Sequence, residues 1–371
     1  MTVDLAGPRA RKHPQQIWLL GLLAASLVLA SCGRRATAGA GNDSSAEPDK
    51  LLYERAMENI QDDKHEMGRL TLQALMNTYP ESEYLAKAKL AIADSYYQEG
   101  GASGMLQSVA EYQDFITFFP FLDEAAYAQM QIGMAHYRRM EKPDRDPTEA
   151  MAAEAAFQLL LQKYPEGPLA AEGQQRLREV QEVLAEKDFR IASFYYLRRA
   201  DRAAAARLQR LVNRYPLYSQ ADRVHWMLAE VYERNEGGQA AAAQSYEHLA
   251  KDYPLSPLTE AAKVKLEKLG VSAPQPDSDA LARMQQEAQV PRRRPGFLGR
   301  SLGMLKSGPD VSMAARAGTP TMTPADDQSQ DVLVPGLPAR VDGTSGLPAG
   351  AGSRTDVSIE TVTPGQRSPA P

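Results

Sequence analysis

The sequence predicts an all-α fold, an α-solenoid of about five antiparallel helix pairs, and three observations predict it. An aromatic-Pro dipeptide recurs five times, at Tyr79-Pro80, Phe119-Pro120, Tyr164-Pro165, Tyr215-Pro216 and Tyr253-Pro254. Fixed offsets upstream of each carry the same kind of residue. Four before the aromatic stand Leu75, Phe115, Leu160, Leu211 and Leu249; seven before stand Leu72, Tyr112, Phe157, Leu208 and Tyr246. Eleven before stand Gly68, Ser108, Ala153, Ala204 and Ala242. These offsets share one stripe of a helix with 3.6 residues per turn, large near the proline and small at the far end. Thirdly, long runs of alternating polarity are absent, which argues against β-strands.

The first element, residues 1–31, reads as a secretory signal: Arg9, Arg11 and Lys12 precede the uncharged run Ile17 to Ala30. That run holds 14 residues, short of the roughly 20 needed to cross a hydrocarbon core. It ends in Leu29-Ala30-Ser31-Cys32, which resembles the lipobox of bacterial lipoproteins. The resemblance implies cleavage before Cys32 and acylation of both its thiol and its new amine, giving stable anchoring where one chain binds marginally. Gly33 in the following position implies, by the same resemblance, delivery to the outer membrane. Cys32 is the sole cysteine, which rules out an internal disulfide and any multi-cysteine metal site. Residues 32–48 are small and polar, a flexible tether.

The second element, 49–270, is the repeat body. Proline closes each striped helix because it disfavours α geometry in the residue before it and donates no N–H. Between these B helices lie A helices with stripes of their own: Tyr84, Ala88, Ala91 and Ser95; Ala128, Ile132 and Ala135; Val224, Leu228 and Val231. Gly100-Gly101 and Gly237-Gly238 supply two A-to-B turns. Asp146 before Pro147 reads as a helix cap with Pro in the first turn. A single pair cannot bury its apolar face, so the pairs must share a core.

The third element, 271–371, holds 13 of the 25 prolines and one aromatic residue, Phe297, so the sequence predicts disorder there. Two stretches are set apart: Ser278 to Gln289 reads as a short helix, and Arg292 to Lys306 mixes cations with apolar residues in the manner of a membrane or partner contact.

The body resembles the tetratricopeptide repeat, which implies a right-handed solenoid, though its units exceed that repeat's usual length and the fourth gains an extra helical stretch from Pro168 to Lys187. A narrower resemblance, to the BamD family of outer-membrane assembly lipoproteins, covers the lipobox through about Gly270. It is carried by the five aromatic-Pro ends, the wider fourth interval, the Asp144-Arg145-Asp146-Pro147 loop and Ala192-Ser193-Phe194-Tyr195-Tyr196-Leu197-Arg198-Arg199. That resemblance implies an outer-membrane-anchored scaffold on the periplasmic side, with two kinds of partner: a BamA-like barrel protein and unfolded outer-membrane β-barrel proteins. Tyr97, Tyr137, Arg138 and Arg139 are candidates for holding an extended client through stacking and charge-assisted hydrogen bonds. The alternative is that both tyrosines serve inter-helix packing. Arg198 and Arg199 are candidates for docking the barrel protein; equally, they suit the C-terminal end of their own helix. Two other roles stay open, a CpoB-like adaptor of cell-wall synthesis and division and a pilot lipoprotein for a secretin.

Chemistry is weakly represented. His65-Glu66-Met67-Gly68-Arg69 begins like a zinc-protease helix, but Arg69 stands where the second His belongs. His136, His225 and His248 have no ligand-spaced partner. A formal charge of −5 argues against nucleic acid as a partner. The sequence therefore predicts no enzyme, no cofactor and no metal.

Overall fold

The structure is a computed structural model that describes residues 47–290 and 308–323. Cys32, the signal segment and the Arg292–Lys306 stretch lie outside the described residues. The chain divides into two units, Met1–Leu51 and Leu52–Pro371. Of the first, residues 47–51 are described, and they supply the opening turn of the first helix.

Among the described residues there are twelve helices and no strand. They are α1 (Pro48–Gln61), α2 (His65–Thr78), α3 (Leu85–Glu99), α4 (Gly101–Phe118), α5 (Glu124–Arg139), α6 (Thr148–Lys163), α7 (Ala170–Leu197), α8 (Asp201–Arg214), α9 (Ala221–Glu233), α10 (Gln239–Asp252), α11 (Thr259–Lys268) and α12 (Ser278–Gln289). From α2 to α11 each helix packs on its neighbours in chain order, as in a repeat stack. The odd-numbered helices from α1 to α9 are the A helices and the even-numbered ones from α2 to α10 the B helices.

The B-helix stripe is the interior. All ten residues at its two large positions, from Leu72 to Leu249, are at most 1% exposed. The small position allows close approach: a Cβ on Gly68 would stand 2.5 Å from Ile60 Cγ1 on α1. In the A helices the stripes from Ala88 to Val231 are buried likewise. Tyr84 instead sits at the cap position before α3, its ring 5.2 Å from that of Tyr53.

The five aromatic-Pro ends share one geometry. Each aromatic keeps a helical N–H bond to the carbonyl four residues back, while its ψ of 54 to 67° leaves the helix under pressure from the proline. Two turns follow in the same register each time, for example Gly167 N–H to Tyr164 O and Ala170 N–H to Gly167 O. The A-to-B turns use left-handed residues: Gly100 (φ 75°), Gly237 (φ 78°), but also Asp63 (φ 60°) and Arg199 (φ 59°). In the third pair the helix begins at Thr148 with Pro147 at the cap position and not in the first turn, and Asp146, one residue earlier, accepts the Thr148 N–H on Oδ1 at 3.0 Å.

Two features differ from the sequence expectation. The extra stretch in the fourth unit merges with its A helix into one 28-residue helix, α7, because nothing between Pro168 and Leu197 interrupts it. And residues 308–323 of the 271–371 tail are ordered, whereas α12 forms over Ser278–Gln289, the stretch that the sequence sets apart as a short helix. Helix α12 is capped by Asp277, whose carboxylate accepts the Asp279 and Ala280 N–H groups. Residues 308–323 form an irregular strap against α6, α7 and α12. Composition alone missed the strap because main-chain groups hold it, supplemented by a few small apolar side chains.

Candidate protein-binding surface

Three A helices bring most of the aromatic and basic candidates into one row. On α3, Tyr97 packs edge-on against Tyr112 of α4, with centroids 6.5 Å apart. The Arg138 guanidinium of α5 lies 4.0 Å above the Tyr97 ring. Beside Arg138 in the chain, Tyr137 donates to Glu179 Oε2 of α7 at 2.7 Å. Arg176 bonds the same carboxylate at 3.0 Å and stands 5.4 Å over the Tyr137 ring. Burial, with the Glu179 hydrogen bond, pushes the Tyr137 phenol's pKa up, so it remains a donor throughout the neutral range. Beneath the row, Tyr112 and Tyr127 both donate to Asp94 Oδ1, at 2.6 and 3.0 Å. Burial raises the Asp94 pKa against the lowering effect of those two bonds.

Tyr97 and Tyr137 are thus half-buried inter-helix residues, each lidded by an arginine, and the packing role holds for both. The exposed member of the row is Arg138, while Tyr97, Tyr137 and Arg176 are partly covered. Arg139 is not brought into it. Its guanidinium turns to Glu149 of α6 at 2.7 Å, where His136 Nδ1 meets the other oxygen at 2.8 Å.

The second candidate pair stands apart, in the α7–α8 turn. Arg198 and Arg199 are exposed there beside Leu197 (77% exposed) and Phe194 (49%). The Arg198 guanidinium lies 4.3 Å over the Phe194 ring. Arg199 supplies the left-handed turn, so it has a local structural role as well. Exposed aromatic, aliphatic and arginine side chains in one patch have the composition of an interface core.

Sequence reasoning missed a third group. Gln158 on α6 and Gln175, Arg178 and Gln181 on α7 point at the strap and hydrogen-bond its main chain. In a lone helix reading, the run Gln174-Gln175-Arg176 followed by Arg178-Glu179 is a solvated face. The available signal was length, since α7 carries more polar residues than one repeat partner can cover.

The protease-like motif is packing. Arg69 pairs with Glu99 at 2.6 Å and stacks on Tyr96 at 4.0 Å. Among the described residues no three His, Cys, Asp or Glu side chains gather as a metal site would require, and no helix is long and apolar enough to cross a membrane.

Comparison with known proteins gives consistent matches. The family YfiO, described as outer membrane lipoprotein, matches residues 45–237. An outer membrane protein assembly factor BamD of Vibrio cholerae is 29% identical over 226 residues, covering 58% of this chain and 90% of that protein. The proteins of the same name from Neisseria gonorrhoeae and Pasteurella multocida are 23% and 25% identical, covering 62% and 54% of this chain and 89% and 80% of their own lengths.

Proposed function

Since the chain belongs to the YfiO family of outer membrane lipoproteins, we propose that it is an assembly factor for outer-membrane β-barrel proteins, acting as a scaffold and not as an enzyme. It binds a BamA-like barrel protein and unfolded outer-membrane clients, and it is held at the periplasmic face of the outer membrane by acyl chains on Cys32. The supporting observation is the match itself, which runs over 80 to 90% of the length of relatives named as assembly factors.

The geometry suits the two partners to two places. Stacked helices present side chains at fixed spacing, which favours extended or folded polypeptide over a small molecule. The Arg138–Tyr97 and Arg176–Tyr137 row offers cation-lidded rings to a client strand. Phe194, Leu197, Arg198 and Arg199 offer the barrel protein an apolar anchor ringed by charge.

Co-purification from detergent-solubilised envelopes tests the reading. Recovery of a BamA-like barrel protein is the expected result, and Leu197→Asp with Arg198→Glu should lower it at least about tenfold, a loss of roughly 1.4 kcal/mol. Recovery of division or secretin proteins in its place would overturn the assignment. Separately, Cys32→Ala should move the protein from the membrane pellet to the soluble fraction; continued sedimentation would overturn the anchor.

A further inference from the structure

We propose that the polar face shared by α6 and α7 is a binding site for polypeptide main chain, and that the strap, residues 308–323, is its displaceable occupant in cis. The recognition runs through backbone atoms. Arg178 donates to two carbonyls, from Nε to Ala315 O at 3.1 Å and from Nη1 to Gly318 O at 2.8 Å. Gln181 makes the two-way contact of an amide with a peptide group, donating to Thr321 O at 2.7 Å and accepting Thr321 N–H at 3.2 Å. Gln158 bonds the Thr321 and Thr323 carbonyls at 3.1 and 3.2 Å, and Gln175 bonds Ala315 O at 3.4 Å. From α12, Glu287 accepts the Arg316 and Ala317 N–H groups.

These groups form a built site. With the strap in place Gln158, Arg178 and Gln181 are only 8, 8 and 6% exposed, and each finds its partner in the strap's main chain. A solvated helix face has no reason to sequester two glutamines and an arginine. Here they converge from two helices on the carbonyls of residues 315, 318 and 321, spaced every third residue. The strap residues that fit are small: Ala314 is fully buried, and Gly318 lies against Leu217 and Arg283. Val311 and Pro320 add apolar contacts and Arg316 an ion pair, but the α6 and α7 donors address only carbonyls, so another polypeptide with small residues at the 314 and 318 points satisfies the same donors. The strap also reaches the aromatic row, since Arg316 stands 3.5 Å from the Glu179 carboxylate that holds Tyr137 and Arg176. Displacing it frees that carboxylate's second oxygen from Arg316. That the competing chain is an unfolded outer-membrane protein rests on the reading of the preceding subsection; the main-chain chemistry does not.

Competition in trans tests the site on the full-length chain. Gly318 has φ +94°, and a Cβ there would stand 2.9 Å from Leu217 Cδ2, so Gly318→Val penalises only the docked strap. Thr321→Pro is an independent release variant, removing the N–H that Gln181 accepts. The probe is a fluorescent synthetic peptide of residues 308–323, followed by anisotropy. A tethered occupant competes at an effective concentration in the millimolar range, so both release variants should bind the peptide at least about tenfold more tightly than wild type. Adding Arg178→Ala to Gly318→Val should remove that gain. An unlabelled peptide of the same length, Ser throughout except for Ala at the 314 register and Gly at the 318 register, should displace the probe. The proposal is overturned if neither release variant binds more tightly while helix content is unchanged by circular dichroism. Failure of that peptide to compete also overturns it, because the site is then a latch private to this tail. Neither readout depends on which envelope protein co-purifies, so this site and the assembly role fail separately.

Discussion

His225 shows how one side chain in a stacked core sets a response to acid. It lies on α9 with its Nδ1 buried and without a hydrogen-bond partner, its ring stacked on His248 of α10 at 5.6 Å and tilted against Tyr253 at the same distance. Burial, aided by the neighbouring His248 and opposed by Asp252, pulls its pKa down to about 4. In the unfolded chain it titrates near 6.5. Above that pH neither state is protonated and the residue is neutral for stability. As pH falls from about 6.5 towards 4, the unfolded state takes a proton that the folded state refuses, so stability is lost. Between pH 7 and 5 that loss amounts to about 2 kcal/mol. His248 works in the opposite sense, because its hydrogen bond to Asp252 raises its pKa, and a substitution at His225 leaves it in place. His225→Phe fills the same space and leaves no polar atom stranded. Urea midpoints at pH 7 and pH 5 should fall further for the wild type than for the variant; equal losses would show that His225 is not the acid-sensitive group.

The spacing of large and small residues made each helix legible in the sequence, and the same spacing makes the elements intolerant of single methyl groups. Gly133 on α5 faces Phe157, the large stripe residue of α6, and a Cβ there would approach Phe157 Cε1 to 2.4 Å. Helix propensity alone favours Gly133→Ala by about 1 kcal/mol. The overlap opposes it, at about 1 to 3 kcal/mol, because Phe157 is fully buried and its ring has nowhere to turn. The clash should win, lowering the urea midpoint by an amount equivalent to about 1 kcal/mol; a raised midpoint would mean that α5 and α6 separate freely. The B helices, their proline ends and two of the A-to-B turns were readable because each repeats a local rule. The turns at Asp63 and Arg199 were not, since a left-handed Asp or Arg carries no mark that distinguishes it from a solvated charge. For the same reason Arg199 was legible as an exposed cation but not as a turn residue. Tyr97 and Tyr137 were found because they are large; their arginine lids were found only in part, Arg138 being named and Arg176 passed over.

Stability across the whole stack follows from how the apolar clusters are divided. The largest runs without a break from Met130 on α5 to Ala242 on α10. Separate, smaller clusters hold α1 to α3, α3 to α6 and α9 to α11. Since each helix from α2 to α11 packs mainly on its chain neighbours, the stack behaves as a one-dimensional array in which the ends open before the middle. One feature departs from that locality. The strap ties α6 and α7 to α12, joining residues 137 to 165 positions apart, and it does so over the centre. No periodicity announces such a contact, because Ala314, Ala315, Ala317 and Gly318 carry no stripe and their partners resemble a wetted helix face. Native-state hydrogen exchange should therefore show the slowest amides in α7 to α9, opening only with global unfolding. Amides in α1, α2 and α11 should exchange through smaller openings with little dependence on denaturant. Releasing the strap with Gly318→Val should accelerate residues 308–323 and α12 first, with α1 to α4 unaffected, since no strap contact reaches them. Equal acceleration along the chain would mean that the stack unfolds as a single cooperative body and that its clusters are not energetically separate.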